Sequence, residues 1–254
     1  MVMTAEKSEL PFPTTTAHQA RLQIYQPTLR PRDITREVRT SWGSAKITGC
    51  IGQVHASVME AIFYNNEAVR HLDDGRVRIL VDPYRVRTAT YGGEQGSHQQ
   101  LWKMITDLMR VIIEMEVPRH EIKVLGHVLD SVEESPQRRH SPAGMNQGRD
   151  RALWRITVAA TYIQLMGEDL ALNYPPAPIA KLESGVARAV VRFIKTHKNE
   201  PPGGWHVDYL LAAVGVDGGQ CMRDARRALN SDGTRAGLMK FGLSLEGGRV
   251  RQVD

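Results

Sequence analysis

Residues 99–126, QQLWKMITDLMRVIIEMEVPRHEIKVLG, change their hydrophobic period halfway along. Leu101, Ile105, Leu108 and Ile112 recur every three or four positions, the spacing of one helix face. Ile113, Met115 and Val117, then Ile122 and Val124, alternate as strand residues do. The pattern predicts a helix starting near 98, with Ser97 and Gln100 spaced as a capping box, and a hairpin over 111–117 and 121–130. Gln99, Lys103, Thr106 and Arg110 are left on the helix face turned away from the core.

Upstream, GQVHASVMEAIFYNNEA reads as a helix whose apolar stripe is Val54, Val58 and Ala61 or Ile62. RVRILVD is a strand with Val77, Ile79 and Val81 on one face, and PYRVRTA is a short helix with Pro83 in its first turn. Helix, strand, helix, helix, hairpin is the succession of a winged helix, the helix-turn-helix variant with a β-hairpin beside its recognition helix. Residues 131–152 form a polar loop, either a hairpin extension or the linker side of a boundary, and LWRITVA resumes strand alternation and pairs with the preceding hairpin.

After the proline-rich joint PPAP the pattern returns. KLESGVARAVVRFIKTH is expected to bury Val186, Val190 and Ile194 and to turn Arg188, Arg192 and Lys195 outward. VDYLLAAVG is a short helix, and CMRDARRALN, with Asp217 and Gln220 at N-cap spacing, buries Met222, Ala225 and Leu229. MKFGLSL alternates from Met239 onward, and a turn at EGG leads to the strand RVRQV. The expected architecture is α+β: two tandem winged helices with a flexible N-terminal arm. Residues 1–45 are the arm, carrying Arg21, Arg30, Arg32, Arg36 and Arg39. Residues 46–160 are the first winged helix and 161–254 the second, its recognition helix at about 219–231.

Composition narrows the function. A formal net charge of +5 makes polyanions plausible partners, although many enzymes carry as much. The two cysteines, Cys50 and Cys221, have no metal-ligand spacing around them, so neither a structural metal nor a cofactor is expected. The start MVMTAEKSEL lacks the features of a secretory signal. The longest apolar stretch, ITVAATYIQLM, is too short and too polar for a bilayer, so a cytoplasmic protein is expected. No GxxxxGK[ST], HExxH, paired CxxC or GxSxG segment occurs. WHVDY, with His206, Asp208 and Tyr209, lacks the second histidine a metal-dependent nickase needs, and the chain is expected not to be an enzyme.

Placement of charge says more than its sum. Arg223, Arg227 and Asn230 share one strip at i, i+4, i+7, with Arg226 beside it and the apolar residues opposite. A recognition helix needs such a division, and a guanidinium can meet guanine O6 and N7 together. Gln99, Lys103 and Arg110 form a weaker strip in the first unit. Arg119, His120 and Lys123 lie at the first turn, Lys240, Arg249 and Arg251 in the last hairpin, and Arg138, Arg139, Arg149, Arg151 and Arg155 around the long loop. Basic wings of this kind suit phosphates and set register rather than sequence.

SWGSAKITGCIGQVHASVMEAIFY, GRVRILVDPYRVR and LWKMITDLMRVIIEMEV together resemble the first winged helix of the TrfA-like replication initiators of bacterial plasmids. The stretch from LWRITVAATYIQLMGEDLALNY through VDYLLAAVG resembles the part of that family in which its second unit begins, so the likeness covers roughly residues 41–254. It implies a protein that binds iteron repeats at a plasmid origin, promotes opening of an AT-rich segment and helps recruit the host replicative helicase. It also implies a monomer–dimer equilibrium that limits copy number. The same modules would serve a transcription regulator or a partition-type adaptor, and residues alone separate these poorly.

Overall fold

The computed structural model describes residues 13–93, 96–118, 121–140, 150–166 and 171–253. In chain order the first unit comprises β1 (Thr15–Thr16), α1 (Ala17–Arg21), β2 (Ile34–Thr40), β3 (Gly43–Gly49), α2 (Gln53–Tyr64), β4 (Asn66–His71), β5 (Val77–Val81) and α3 (Pro83–Thr90). It continues with α4 (His98–Arg110), β6 (Ile112–Val117), β7 (Ile122–Gly126), β8 (Leu129–Arg139), β9 (Arg151–Val158) and α5 (Ala160–Ile163). A joint with β10 (Ala171–Leu172) and α6 (Ala177–Ala180) leads to the second unit. That unit comprises α7 (Gly185–Lys195), β11 (Trp205–His206), α8 (Val207–Ala213), α9 (Gly219–Asn230), α10 (Asp232–Met239), β12 (Leu243–Glu246) and β13 (Arg249–Gln252).

Two apolar cores match this division. The first runs from Leu22 to Met166 and the second from Ile179 to Val250. Residues 160–166 therefore belong to the first unit, because Tyr162 and Leu165 are fully buried there. The helix α2 is the axis of the first core, and burial extends around nearly its whole circumference. The antiparallel sheet β4-β5-β9-β8 places Val77, Ile79 and Val81 against it, as the alternation predicts. The capping box of α4 also forms as expected: Ser97 Oγ accepts from the Gln100 amide, and Gln100 Oε1 accepts from the Ser97 amide.

The hairpin expected after α4 is present but has a different partner. β6 pairs with β3, and β3 with β2, giving the separate sheet β2-β3-β6-β7. The wing proper is β8–β9, joined edge-on to β5, so the polar stretch after 130 is a hairpin extension and not a linker. Ile112, expected in the helix stripe, is exposed, and Val111 is buried in its place. The chain becomes extended at Val111, so the helical period no longer applies at the next residue.

The N-terminal segment is not a free arm over residues 13–45. Leu22, Ile24 and Tyr25 are buried in the first core, β1 pairs with β10 of the joint, and β2 lies in the sheet. Arg36 donates to the carbonyls of Gln23 and Ile24, and Arg21 to Thr196 of the second unit. The apolar residues of this segment are too sparse for a period, yet they close one end of the core. Residues 1–12 lie outside the described residues.

Arg188 and Arg192, expected outward on α7, are buried. α7 has two apolar or polar partners rather than one: Val190 and Ile194 fill the second core, and the opposite side lies on α2. There Arg192 Nε and Nη2 donate to the two Glu60 oxygens at 2.8 and 2.6 Å, Nη1 to Gln53 at 2.8 Å and Nη2 to Ser57 at 2.9 Å. Burial works against this charge, but Glu60 outweighs it and holds the guanidinium above its ordinary value. Arg188 donates to the carbonyls of Leu182 and Ala180, and burial pushes it down to about 10.

Candidate nucleic-acid interface

The second unit presents its helix-turn-helix through the end of α8. Val216 N–H bonds to Leu211 O and Gly215 N–H to Ala212 O, the Schellman pattern, with Gly215 at φ +85°. The positive φ selects glycine here; a Cβ would also meet the end of the Gln23 side chain at 2.7 Å, which could swing aside. α9 then begins at an N-cap, Gly218, that provides no side-chain bond. Asp217 is not the cap expected from spacing. Ala225 and Leu229 face the core of the unit, with Met222 partly buried beside them.

Arg223, Arg226, Arg227 and Asn230 are all exposed on the other side of α9. They are not equally free. Arg226 Nε donates to Asp208 of α8 at 2.6 Å, tying the two helices together, and this bond lowers the pKa of the Asp208 carboxyl. Arg223 Nη2 donates to Gln220 Oε1 at 2.6 Å, Arg227 Nη1 lies 3.8 Å from Asp224, and Asn230 donates to the Arg226 carbonyl. Gln220 and Asp208 were read from sequence in other roles, as a capping partner and as part of WHVDY, and Asp224 was not named. The i, i+3 and i, i+4 spacings of Gln220 to Arg223 and Asp224 carried the signal for two of them.

After α9 the chain forms the unanticipated helix α10, capped by Ser231, whose Oγ accepts from the Thr234 amide. Met239 ends this helix and does not begin a strand, since the alternation that includes it coincides with Leu238 facing the core. Lys240 is exposed at the helix end. The wing β12–β13 turns at Gly247 and Gly248, both with positive φ, as a two-residue hairpin requires. Arg251 projects from it into solvent, whereas Arg249 donates to the carbonyls of Gly203 and Gly204.

The first unit offers less. On α4, Gln99, Lys103 and Arg110 are exposed, but Lys103 is held by Asp107 at 2.6 Å. Burial works against the Asp107 charge, yet hydrogen bonds from His55 and Lys103 prevail and keep its carboxyl below the usual range. Trp102, 44% exposed on the same helix, stands edge-on to Trp154 of the wing. Arg139 and Arg151, paired at the loop end of the β8–β9 hairpin, are partly buried. Arg139 bonds Glu67, and Arg151 donates to the fully buried Asp82 at 2.8 Å and lies over the Tyr84 ring. Arg151 anchors the wing to the start of α3, and Arg139 anchors it to β4. Arg138 is exposed and forms no ion pair among the described residues. Arg119, His120 and Arg149 lie outside the described residues.

Among the described residues no group of three His, Cys, Asp or Glu side chains is placed to hold a metal, and both cysteines are free thiols. No helix among them is long and apolar enough to cross a membrane. No family model matches the chain, and no curated protein matches it. Among solved structures, one described as the crystal structure of selenomethionine derivatives of domains 2 and 3 of RctB matches with a TM-score of 0.54 and 11% identity. That alignment covers 92% of this chain and 95% of the other. A second RctB structure, of domains 2–3 again, aligns at a TM-score of 0.47 and 11% identity over 92% of this chain and 94% of that one. In fold, the chain is similar to domains 2 and 3 of RctB: a mixed α and β arrangement of winged-helix units.

Proposed function

We propose that the chain is a sequence-specific binder of double-stranded DNA that initiates replication. The observation carrying this reading is the division of α9: Ala225 and Leu229 fix its angle from beneath, and Arg223, Arg227 and Asn230 stand exposed opposite them. That is the division a helix needs to present side chains to base edges in a major groove. Lys240 and Arg251 beside it suit phosphate contacts that set register. Likeness of fold to domains 2 and 3 of RctB supports the winged-helix frame of this reading, and the resemblance to TrfA-like initiators favours initiation over other uses of the same modules.

In this reading α9 provides most of the base contact, and α4, whose Lys103 is already paired, contributes backbone contact. The resemblance to TrfA-like initiators adds iteron repeats at a plasmid origin, opening of an AT-rich segment, recruitment of the host replicative helicase, and copy control through a monomer–dimer equilibrium. The protein acts in the cytoplasm without enzymatic chemistry or a cofactor. Footprinting of the purified protein across its own replicon is the test. Protection of direct repeats beside an AT-rich tract is expected. Protection of a palindrome over a promoter assigns the chain to transcriptional regulation instead, and magnesium-dependent nicking of supercoiled DNA overturns the non-enzymatic reading.

A further inference from the structure

We infer that Asp224 is a positioning residue for sequence discrimination, acting through Gln220; the inference rests on the DNA-binding reading of α9. Three side chains, Arg223, Gln220 and Asp224, run in a hydrogen-bonded line over the exposed face of this helix, with Arg227 in ion-pair range at the end. Gln220 Nε2 donates to Asp224 Oδ1 and Oδ2 at 3.0 and 3.1 Å, and Gln220 Oε1 accepts from Arg223 Nη2 at 2.6 Å. Arg227 Nη1 is at the other end, 3.8 Å from Asp224 Oδ1.

The chemistry of the partners leaves the Gln220 amide one orientation. A carboxylate only accepts and a guanidinium only donates, so the amide must turn its NH₂ toward Asp224 and its oxygen toward Arg223. Gln220 therefore holds Arg223, and Asp224 holds Gln220. Glutamine and arginine lose rotamer freedom when they seat on a base edge, and a side chain already held loses less.

Charge makes the placement informative. The Asp224 side chain is 55% exposed on a face otherwise rich in arginine, where a negative charge opposes the approach of a polyanion. Helix packing gives it no task, since Ala225 and Leu229 make the contacts to the core. An acid there lowers affinity for DNA in general and raises the distinction between sequences.

The test uses the full-length protein and a pool of duplexes of randomised sequence, from which the wild type selects its preferred site. Affinities for the selected duplex and for the unselected pool are then measured at one salt concentration. D224A is expected to bind the pool as tightly as the wild type or tighter, while the ratio of selected to pool affinity falls roughly tenfold or more. Alanine is a good helix former, and the position is exposed, so the variant folds. E246Q removes an acid from the exposed wing turn and is expected to tighten pool binding with the ratio preserved.

A double-mutant comparison separates positioning from direct contact. Q220A is expected to lose the ratio about as D224A does, and the combined variant to lose no more. A D224A ratio equal to that of E246Q overturns the inference. So does a D224A effect that persists in full in the Q220A background, because Asp224 then acts on DNA by another route. A wild type that selects no sequence at all overturns the DNA-reading function itself.

Discussion

Replacing Arg192 with methionine tests how the two units are held together. The substitution keeps much of the stem's apolar volume and removes the charge, leaving Glu60 buried with its side chain 2% exposed. Four hydrogen bonds are lost, two of them to Glu60, and the remaining partner on that carboxylate is the Tyr174 hydroxyl. Removing one partner from a buried pair costs about 3–5 kcal/mol, most of it the penalty of the stranded charge. With a urea m-value of about 2 kcal/mol/M, a loss of about 4 kcal/mol lowers the unfolding midpoint by about 2 M. Tryptophan fluorescence reports both units, with Trp42, Trp102 and Trp154 in the first and Trp205 in the second. We expect a lower midpoint that separates into two transitions, because the lost contacts bridge α7 and α2. Adding E60Q to R192M removes the stranded charge and should recover at least half of the loss. A wild-type midpoint for R192M, or a double variant no more stable than the single one, refutes this account of the seam.

Other expectations concern the candidate interface and its supports. R227A and R223A should each lose about 1–3 kcal/mol of specific binding where the guanidinium holds a base by two bonds, measured by titration of the footprinted site. R138A should weaken binding to all duplexes alike and reduce the log–log salt slope by about one, whereas R139A, which frees the wing from Glu67, should also lower the melting temperature. Asp107 has a depressed pKa in the folded protein, so the unfolded chain binds its proton more readily. Its contribution is full above the ordinary carboxylate value and is lost as pH falls through the folded pKa, below about pH 4. The stability difference between wild type and D107N should therefore shrink as denaturation curves are taken to more acid pH; a gap that widens would contradict the sign.

What could be read from residues was whatever depends on near neighbours. The alternation of β5, the capping box at Ser97 and Gln100, the stripe of α9 and the glycine turn of the last wing are all local, and each is present. Pairing at a distance was not legible. Nothing in IIEMEV says that its second edge, beside the β7 pairing that the alternation foretold, joins β3 more than sixty residues earlier. A helix with one apolar stripe also looks alike whether its other side meets water or carboxylates, and so Arg192 read as exposed. Around the interface, sequence placed the arginines on the outer strip but could not separate those that anchor structure, Arg139 and Arg151, from those without an ion pair among the described residues, such as Arg138.

The pairing of Thr15 and Thr16 with Leu172 and Ala171 means that the early chain clasps the hinge region between the two lobes. Trimming the protein at residue 46, as composition suggests, would cut β3 in half, remove β2 altogether and take Leu22 and Ile24 out of the core. Such a fragment would start with an unpaired sheet edge and an unbuckled joint, and aggregation would be its foreseeable fate. A shortened version meant to isolate the DNA-reading lobe is better begun after Leu172, where the cut passes between the two apolar cores and keeps the second whole, with Arg192 replaced because its partners on α2 are removed.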